Sequence, residues 1–223
     1  MEKRYDAVLF DLDGTLTKSD PGIMAAAKYA IRTLGFPIPP ESTMRKFIGP
    51  PLWYSFKEFC GMNEEQVVRA FDLYTQQYNA SGVYENSVFP GIFDLFDALK
   101  ANGVKIGLVT AKPEAATQLV IEHFKLAPYF DCVSAIKEEE RSTDKRVLVE
   151  NAVRSLNLPK CRVAMVGDTH YDANGARDAG VDFIGVLFGY GTREEMAASG
   201  CKVFAETAPD LLPILLPRQS AAS

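Results

Sequence analysis

Two aspartates one residue apart, Asp11 and Asp13, close the apolar run Val8-Leu9-Phe10 and lead into Gly14-Thr15-Leu16. Side chains at i and i+2 of an extended segment point the same way, so both carboxylates are expected on one side of a strand's carboxyl end. Two like charges held that close raise each other's pKa unless a cation lies between them. The pair therefore implies either a bound metal ion or one carboxyl kept protonated for acid work. A calcium loop is excluded: that pattern needs glycine sixth and glutamate twelfth, whereas here glycine is fourth and the twelfth residue is Gly22. The bland alternative is a solvated strand end, or an Asx-type turn before Gly14.

A second pair of acids, Asp168 and Asp172, follows the apolar run Val163 to Val166 and Gly167. Taken singly, each reads as a helix N-cap or first-turn acid. In an open parallel sheet, however, sites collect at the carboxyl ends of the strands. There three or all four of these acids would form a hard-oxygen cluster that suits Mg²⁺ better than zinc, because neither His170 nor any cysteine completes a softer set. Thr110 stands between a strand end and the helix expected at Pro113, where a hydroxyl and free N–H groups bind an anion or simply cap the helix. Lys145 falls in the first turn of a helix capped by Thr143, a place where the macrodipole disfavours a cation. A phosphate site among so many acids requires such a cation. Gly189-Tyr190-Gly191 lacks the spacing of a dinucleotide loop and predicts a flexible turn before a Thr192-x-x-Glu195 capping box. No GxxxxGK[ST] sequence occurs, which argues against ATP use through a P-loop.

These residues need a scaffold, and the hydrophobic periodicity supplies one. Strands are expected at Val8 to Leu12, Val104 to Val109, Cys132 to Ile136, Val163 to Gly167 and Phe183 to Phe188. Helical faces lie between them, at Ile92 to Leu99, Ala116 to Phe124, Leu148 to Leu156 and up to Gly180. Near-continuous apolar strands separated by single helices imply a doubly wound parallel sheet covered on both faces. After the first strand the pattern turns helical for about seventy residues. Ser19 and Asp20 offer caps with Pro21 in the first turn, Phe36 to Pro40 is a break, and a short helix around Ser42 to Ile48 follows. The aromatics Trp53, Tyr54, Phe56 and Phe59 read as helix-packing core rather than a stacking surface. Asn63 and Gln66 resemble a capping box that opens a helix running to Gly82. This all-helical block reads as a lid over Asp11 and Asp13.

Bulk properties narrow the setting. The chain has 223 residues, 47% hydrophobic and 24% charged, with a formal net charge of -5, an ordinary globular composition and a poor non-specific binder of nucleic acid or membrane. The N-terminal apolar run is too short for a signal segment, so a cytoplasmic location is expected. Cys60, Cys132, Cys161 and Cys201 are scattered singly and read as reduced thiols. The tail from Pro217 to Ser223 is expected to fray.

In order along the chain, DxDGT at Asp11 to Thr15, the strand-terminal Thr110, the helix-borne Lys145 and GDxxxD at Gly167 to Asp172 resemble the four motifs of the haloacid dehalogenase superfamily of phosphohydrolases. The resemblance runs from residue 5 to about 190, and the helical block is similar to the subfamily I cap. It implies an α/β Rossmann-like core at residues 1–16 and 88–223, with an inserted helical cap at 17–87. The chain most resembles phosphoglycolate-phosphatase-like members, although Ala111 stands where many of them have asparagine and Lys145 follows Thr143-Asp144 instead of sitting in a Lys-Pro setting. The resemblance further implies that Asp11 attacks phosphorus and Asp13 acts as acid and base. Asp11, Asp168 and the backbone carbonyl of Asp13 would hold Mg²⁺, with Asp172 supporting that shell directly or through water. Thr110 and Lys145 would grip the phosphoryl oxygens. The activity so implied is hydrolysis of a small phosphorylated metabolite (phosphoglycolate, a nucleotide or a sugar phosphate) by a monomer or homodimer. A phosphomutase on the same scaffold and a binding protein without activity are the alternatives. Dehalogenation is disfavoured, because those relatives lack the acid-base aspartate at position 13.

Overall fold

A computed structural model describes residues 4–137 and 144–216. Its sheet has six strands: β1 (Ala7–Phe10), β2 (Lys105–Pro113), β3 (Cys132–Ile136), β4 (Val163–Gly167), β5 (Asp182–Val186) and β6 (Phe204–Ala205). All neighbours pair in parallel, in the order β3-β2-β1-β4-β5-β6. The helices are α1 (Asp20–Thr33), α2 (Glu41–Met44), α3 (Leu52–Cys60), α4 (Glu64–Gln77), α5 (Ile92–Ala101), α6 (Glu114–His123), α7 (Lys145–Leu156), α8 (His170–Ala179), α9 (Arg193–Ala198) and α10 (Leu211–Leu215). No helix among the described residues is long and apolar enough to cross a membrane.

β1 is the centre of the sheet, and its four residues are wholly buried. Its period of two divides the core. Val8 and Phe10 pack with Ile92, Leu95, Phe96 and Leu99 of α5, while Ala7 and Leu9 pack with Leu148, Val149 and Ala152 of α7. Each face thus receives every second side chain, which is why the run is apolar throughout instead of alternating with polar residues.

Between β1 and β2 the chain is helical, from α1 through α4 to a single π-turn at Tyr78–Gly82. The expected capping box at Asn63 and Gln66 is present in both directions, each bond at 3.0 Å. The leads into and out of this segment run side by side: Lys18 N–H donates to the Ser87 carbonyl at 2.7 Å and Phe89 N–H to the Leu16 carbonyl at 3.0 Å. α1 and the π-turn approach backbone to backbone, because a Cβ on Gly22 would collide with the Gly82 carbonyl.

Several expectations are corrected. β2 does not stop at Thr110 but continues with a register irregularity to Pro113. β5 is shorter than expected, ending at Val186, and β6 and α10 carried too few residues to register as periodic. Ser19 makes no side-chain capping bond. Of the aromatics in α3, Phe56 is core and Trp53 and Phe59 pack against it as expected, with Trp53 also lining a cavity, whereas Tyr54 is exposed. Thr143, most of the charged loop Lys137 to Arg141, and the tail from Pro217 lie outside the described residues. Asp144 occupies the N-cap of α7, accepting from Arg146 N–H at 2.8 Å.

Candidate active site

Asp11 is the first residue beyond β1, and its N–H continues the ladder by donating to the Val166 carbonyl at 3.0 Å. Asp168 follows β4, the adjacent strand, so the parallel pairing sets the two acids side by side. Asp172 lies one turn into α8, where its carboxylate accepts from both the N–H and the hydroxyl of Thr169, at 3.1 and 2.7 Å. The capping role considered for it is real, but its other oxygen reaches the Lys145 ammonium at 2.8 Å. Oxygens of Asp11, Asp168 and Asp172 all lie within 4.8 Å of one another.

Lys145 opens α7 and bonds Asp11 Oδ1 at 2.5 Å as well as Asp172. Burial opposes its positive charge, but Asp11 and Asp172 together outweigh that and raise its pKa. The pKa values of the acids rise as well, which in their case disfavours the charged form. Burial pushes Asp11 well above the usual carboxylate range, against the pull of Lys145 and with repulsion from Asp172 and Asp168 adding to the rise. Asp168, wholly buried, is pushed up to about 7 by burial and by Asp172. It accepts from Thr15 Oγ1 at 3.1 Å and from the Tyr190 N–H at 2.8 Å. Three buried carboxylates thus face one ammonium, leaving an uncompensated negative charge that desolvation makes costly. A divalent cation with a preference for oxygen would cancel that charge, and the residues fit such an ion.

Asp13 does not join this cluster. Asp13 lines the same two cavities as Asp11, but both of its carboxylate oxygens receive Lys112 Nζ, at 3.0 and 2.7 Å. The strand has ended at Phe10, so the two-residue alternation no longer holds the pair together. Gly14, the next residue, has a φ of +95°, and a Cβ there would collide with the Asp168 carboxylate. Thr110 is buried and accepts from the Lys112 N–H at 3.1 Å. A cavity of about 390 Å³ contains Asp11, Asp13, Thr110 and Lys112 in its wall and continues under α3 and α4. A smaller one of about 250 Å³, lined by Asp11, Asp13, Lys145 and Asp172, meets it at the two aspartates.

Two residues escaped the sequence reading. Lys112 precedes a proline and resembles any solvated lysine, yet its side chain is only 5% exposed and its Nζ sits 4.6 Å from the Tyr78 ring centre. The signal was its i+2 relation to Thr110, visible once β2 is allowed to run on. Tyr190 was assigned to a flexible turn, whereas it ties three elements together. Its N–H holds Asp168, and its hydroxyl accepts from Asp20 N–H at 2.9 Å and reaches Asp20 Oδ1 at 3.2 Å. The capping box after it, Thr192 with Glu195, forms as expected.

The family model for haloacid dehalogenase-like hydrolases matches residues 8–186. A 5'-nucleotidase of Pseudomonas aeruginosa is 34% identical over 195 residues, covering 87% of this chain and 88% of that protein. A phosphoglycolate phosphatase of Salmonella choleraesuis is 30% identical over 233 residues, covering 93% and 91%. Among solved structures, a predicted phosphatase from Clostridium acetobutylicum superposes with a TM-score of 0.90 at 36% identity, covering 95% of this chain and 98% of that one. The order of the strands, the acids at their carboxyl ends and these matches agree, and the chain belongs to the haloacid dehalogenase-like hydrolase family.

Proposed function

We propose that this hydrolase is a Mg²⁺-dependent phosphatase that cleaves a small phosphomonoester through a phosphoryl group carried on Asp11. The supporting observation is the position of the Asp11 carboxylate, at the junction of two cavities with Lys145 at 2.5 Å and two further acids beside it. Asp11 attacks phosphorus while the bond to the ester oxygen breaks. Asp13, held on the opposite side by Lys112, gives its proton to the departing oxygen, then takes one from the water that releases phosphate and regenerates Asp11. Lys145 and Thr110 bind the phosphoryl oxygens. A divalent ion held by Asp11 and Asp168, with Asp172 behind them, would neutralise charge on the transferring group.

In this reading residues 17–87 act as a cap that excludes water and admits the leaving group, over a core of residues 1–16 and 88–223. The site serves small soluble phosphate esters in the cytoplasm. Assaying a panel of phosphate esters with Mg²⁺ or with EDTA, alongside Asp11→Asn, tests this directly. Turnover is expected only with the metal and only with Asp11. Turnover that survives in Asp11→Asn, or is indifferent to EDTA, would overturn it.

A further inference from the structure

Lys112 holds both oxygens of Asp13, at 3.0 and 2.7 Å, from the end of β2. A lysine side chain is a flexible stem ending in one compact charge, so a single ion pair leaves it free to swing. Two features restrain it here. Its backbone N–H donates to Thr110 Oγ1 at 3.1 Å, and its ammonium lies over the ring of Tyr78, 4.6 Å from the ring centre. Tyr78 opens the π-turn of the helical segment, so this contact ties that segment to β2.

The ring of Tyr78 is itself fixed. It is 1% exposed and stacks on Tyr74 of α4 with the two planes 9° apart. It also covers Gly82, where a Cβ would collide with it, and Gly82 in turn abuts the backbone of α1 at Gly22. The Tyr78 hydroxyl has no hydrogen-bonding partner among the described residues, so what the residue offers Lys112 is a ring face. Such a face attracts a cation most strongly where water is excluded, and the Lys112 side chain is only 5% exposed.

The charges show what this contact opposes. A carboxylate is singly charged, whereas a phosphoryl group arriving at Asp11 brings a charge of about −2 and accepts strong hydrogen bonds from an ammonium. Lys112 and Asp11 line the same cavity. An ammonium held by Asp13 alone would be drawn toward the phosphate, and Asp13 would lose its orienting partner just as the ester oxygen departs. The Tyr78 ring keeps the ammonium on Asp13.

Resting on the phosphatase reading above, we infer that Tyr78 is a positioning residue for the acid-base step. Acting through Lys112, it keeps Asp13 aimed at the departing oxygen, so the helical segment governs proton transfer as well as access.

Phenyl phosphate and p-nitrophenyl phosphate test this, because they are close in shape but differ in the help their departing oxygen needs. Nitrophenolate leaves without a proton, whereas phenolate leaves far more readily with one. Tyr78→Leu and Tyr78→Met fill the same space without a ring, and either one, once folded, serves. Each is expected to raise the ratio of p-nitrophenyl to phenyl phosphate kcat/KM by about tenfold, the worth of one desolvated cation–ring contact. Lys112→Met is expected to raise the same ratio, and adding Tyr78→Leu to it is expected to raise it no further, because the two act as one unit. Tyr78→Phe, which keeps the ring, is expected to keep the parent's ratio. Equal losses on both esters, a raised ratio in Tyr78→Phe, or additive effects in the double variant would mean that Tyr78 only packs or touches the leaving group itself. Any of these overturns the inference and leaves the phosphatase standing. A parent that hydrolyses no phosphate ester overturns both.

Discussion

Replacing Asp168 by asparagine should stabilise the metal-free protein and remove most of the stabilisation that a divalent metal gives the parent. In the folded chain Asp168 is pushed from the ordinary 3.8 up to about 7. Between those values the folded state holds a proton that the unfolded state has released, so stability falls as pH rises through that window. Each pH unit of the interval is worth about 1.4 kcal/mol, which puts the cost of ionising Asp168 in the metal-free site at up to ~4 kcal/mol above pH 7. Asparagine removes that cost and retains the local bonds: its oxygen can accept from the Tyr190 N–H and its amide can donate to Thr15, in place of the 2.8 and 3.1 Å bonds now made. For a chain of this size 1 kcal/mol moves Tm by about 2–4 °C, so in EDTA at pH 8 the variant should melt roughly 5–15 °C above the parent. At pH 4 the two should converge, because there Asp168 is protonated in both the folded and, increasingly, the unfolded chain. Mg²⁺ at about a hundred times its Kd should return ~3 kcal/mol to the parent and far less to the variant, closing most of the gap. Calorimetry across pH with and without the metal reads all of this. An Asp168→Asn protein that melts below its parent in EDTA at pH 8, or a difference independent of pH, would refute the argument that this carboxylate is held against its charge.

Other expectations follow from single contacts. Asp13→Ala leaves the Lys112 ammonium, 5% exposed, without its partner and should cost about 3–5 kcal/mol in denaturant unfolding, most of it recovered in the double variant with Lys112→Met. Lys112→Met alone should lower kcat about ten- to a hundredfold with little change in KM, because it frees Asp13, the proposed acid-base group, from its fixed orientation. Gly22→Ala drives a methyl into the Gly82 carbonyl and should destabilise by about 1–3 kcal/mol, measured as a shift in the urea midpoint at constant m-value. Tyr190→Phe removes the hydroxyl bridge to Asp20 at a cost of about 1 kcal/mol to stability, checked by thermal melting.

The sheet was legible because its chemistry is local: buried parallel strands are apolar runs with glycine, proline or acids at their ends. The capping boxes at Asn63 and Thr192 were legible for the same reason. What sequence could not supply were directions. Asp11 and Asp13 share a spacing that in a strand means a shared face, but β1 ends at Phe10, and their partners differ, Lys145 for one and Lys112 for the other. Lys112 was hidden because a buried lysine and a solvated one look alike until the partner is seen, and its partner is 99 positions away. Trp53 packs against the core as its spacing predicts, but that it also lines a cavity is invisible to periodicity, which distinguishes an inward face from an outward one but not a filled interior from a cavity wall.

The central claim is that a phosphoryl group passes through Asp11. Rapid acid quenching of the enzyme during turnover of a radiolabelled ester, followed by peptide mapping, measures it most directly. The label should appear on the peptide containing Asp11, be released by hydroxylamine, and be absent from Asp11→Asn. Label on another residue, or full turnover with no labelled protein at any time, would contradict it.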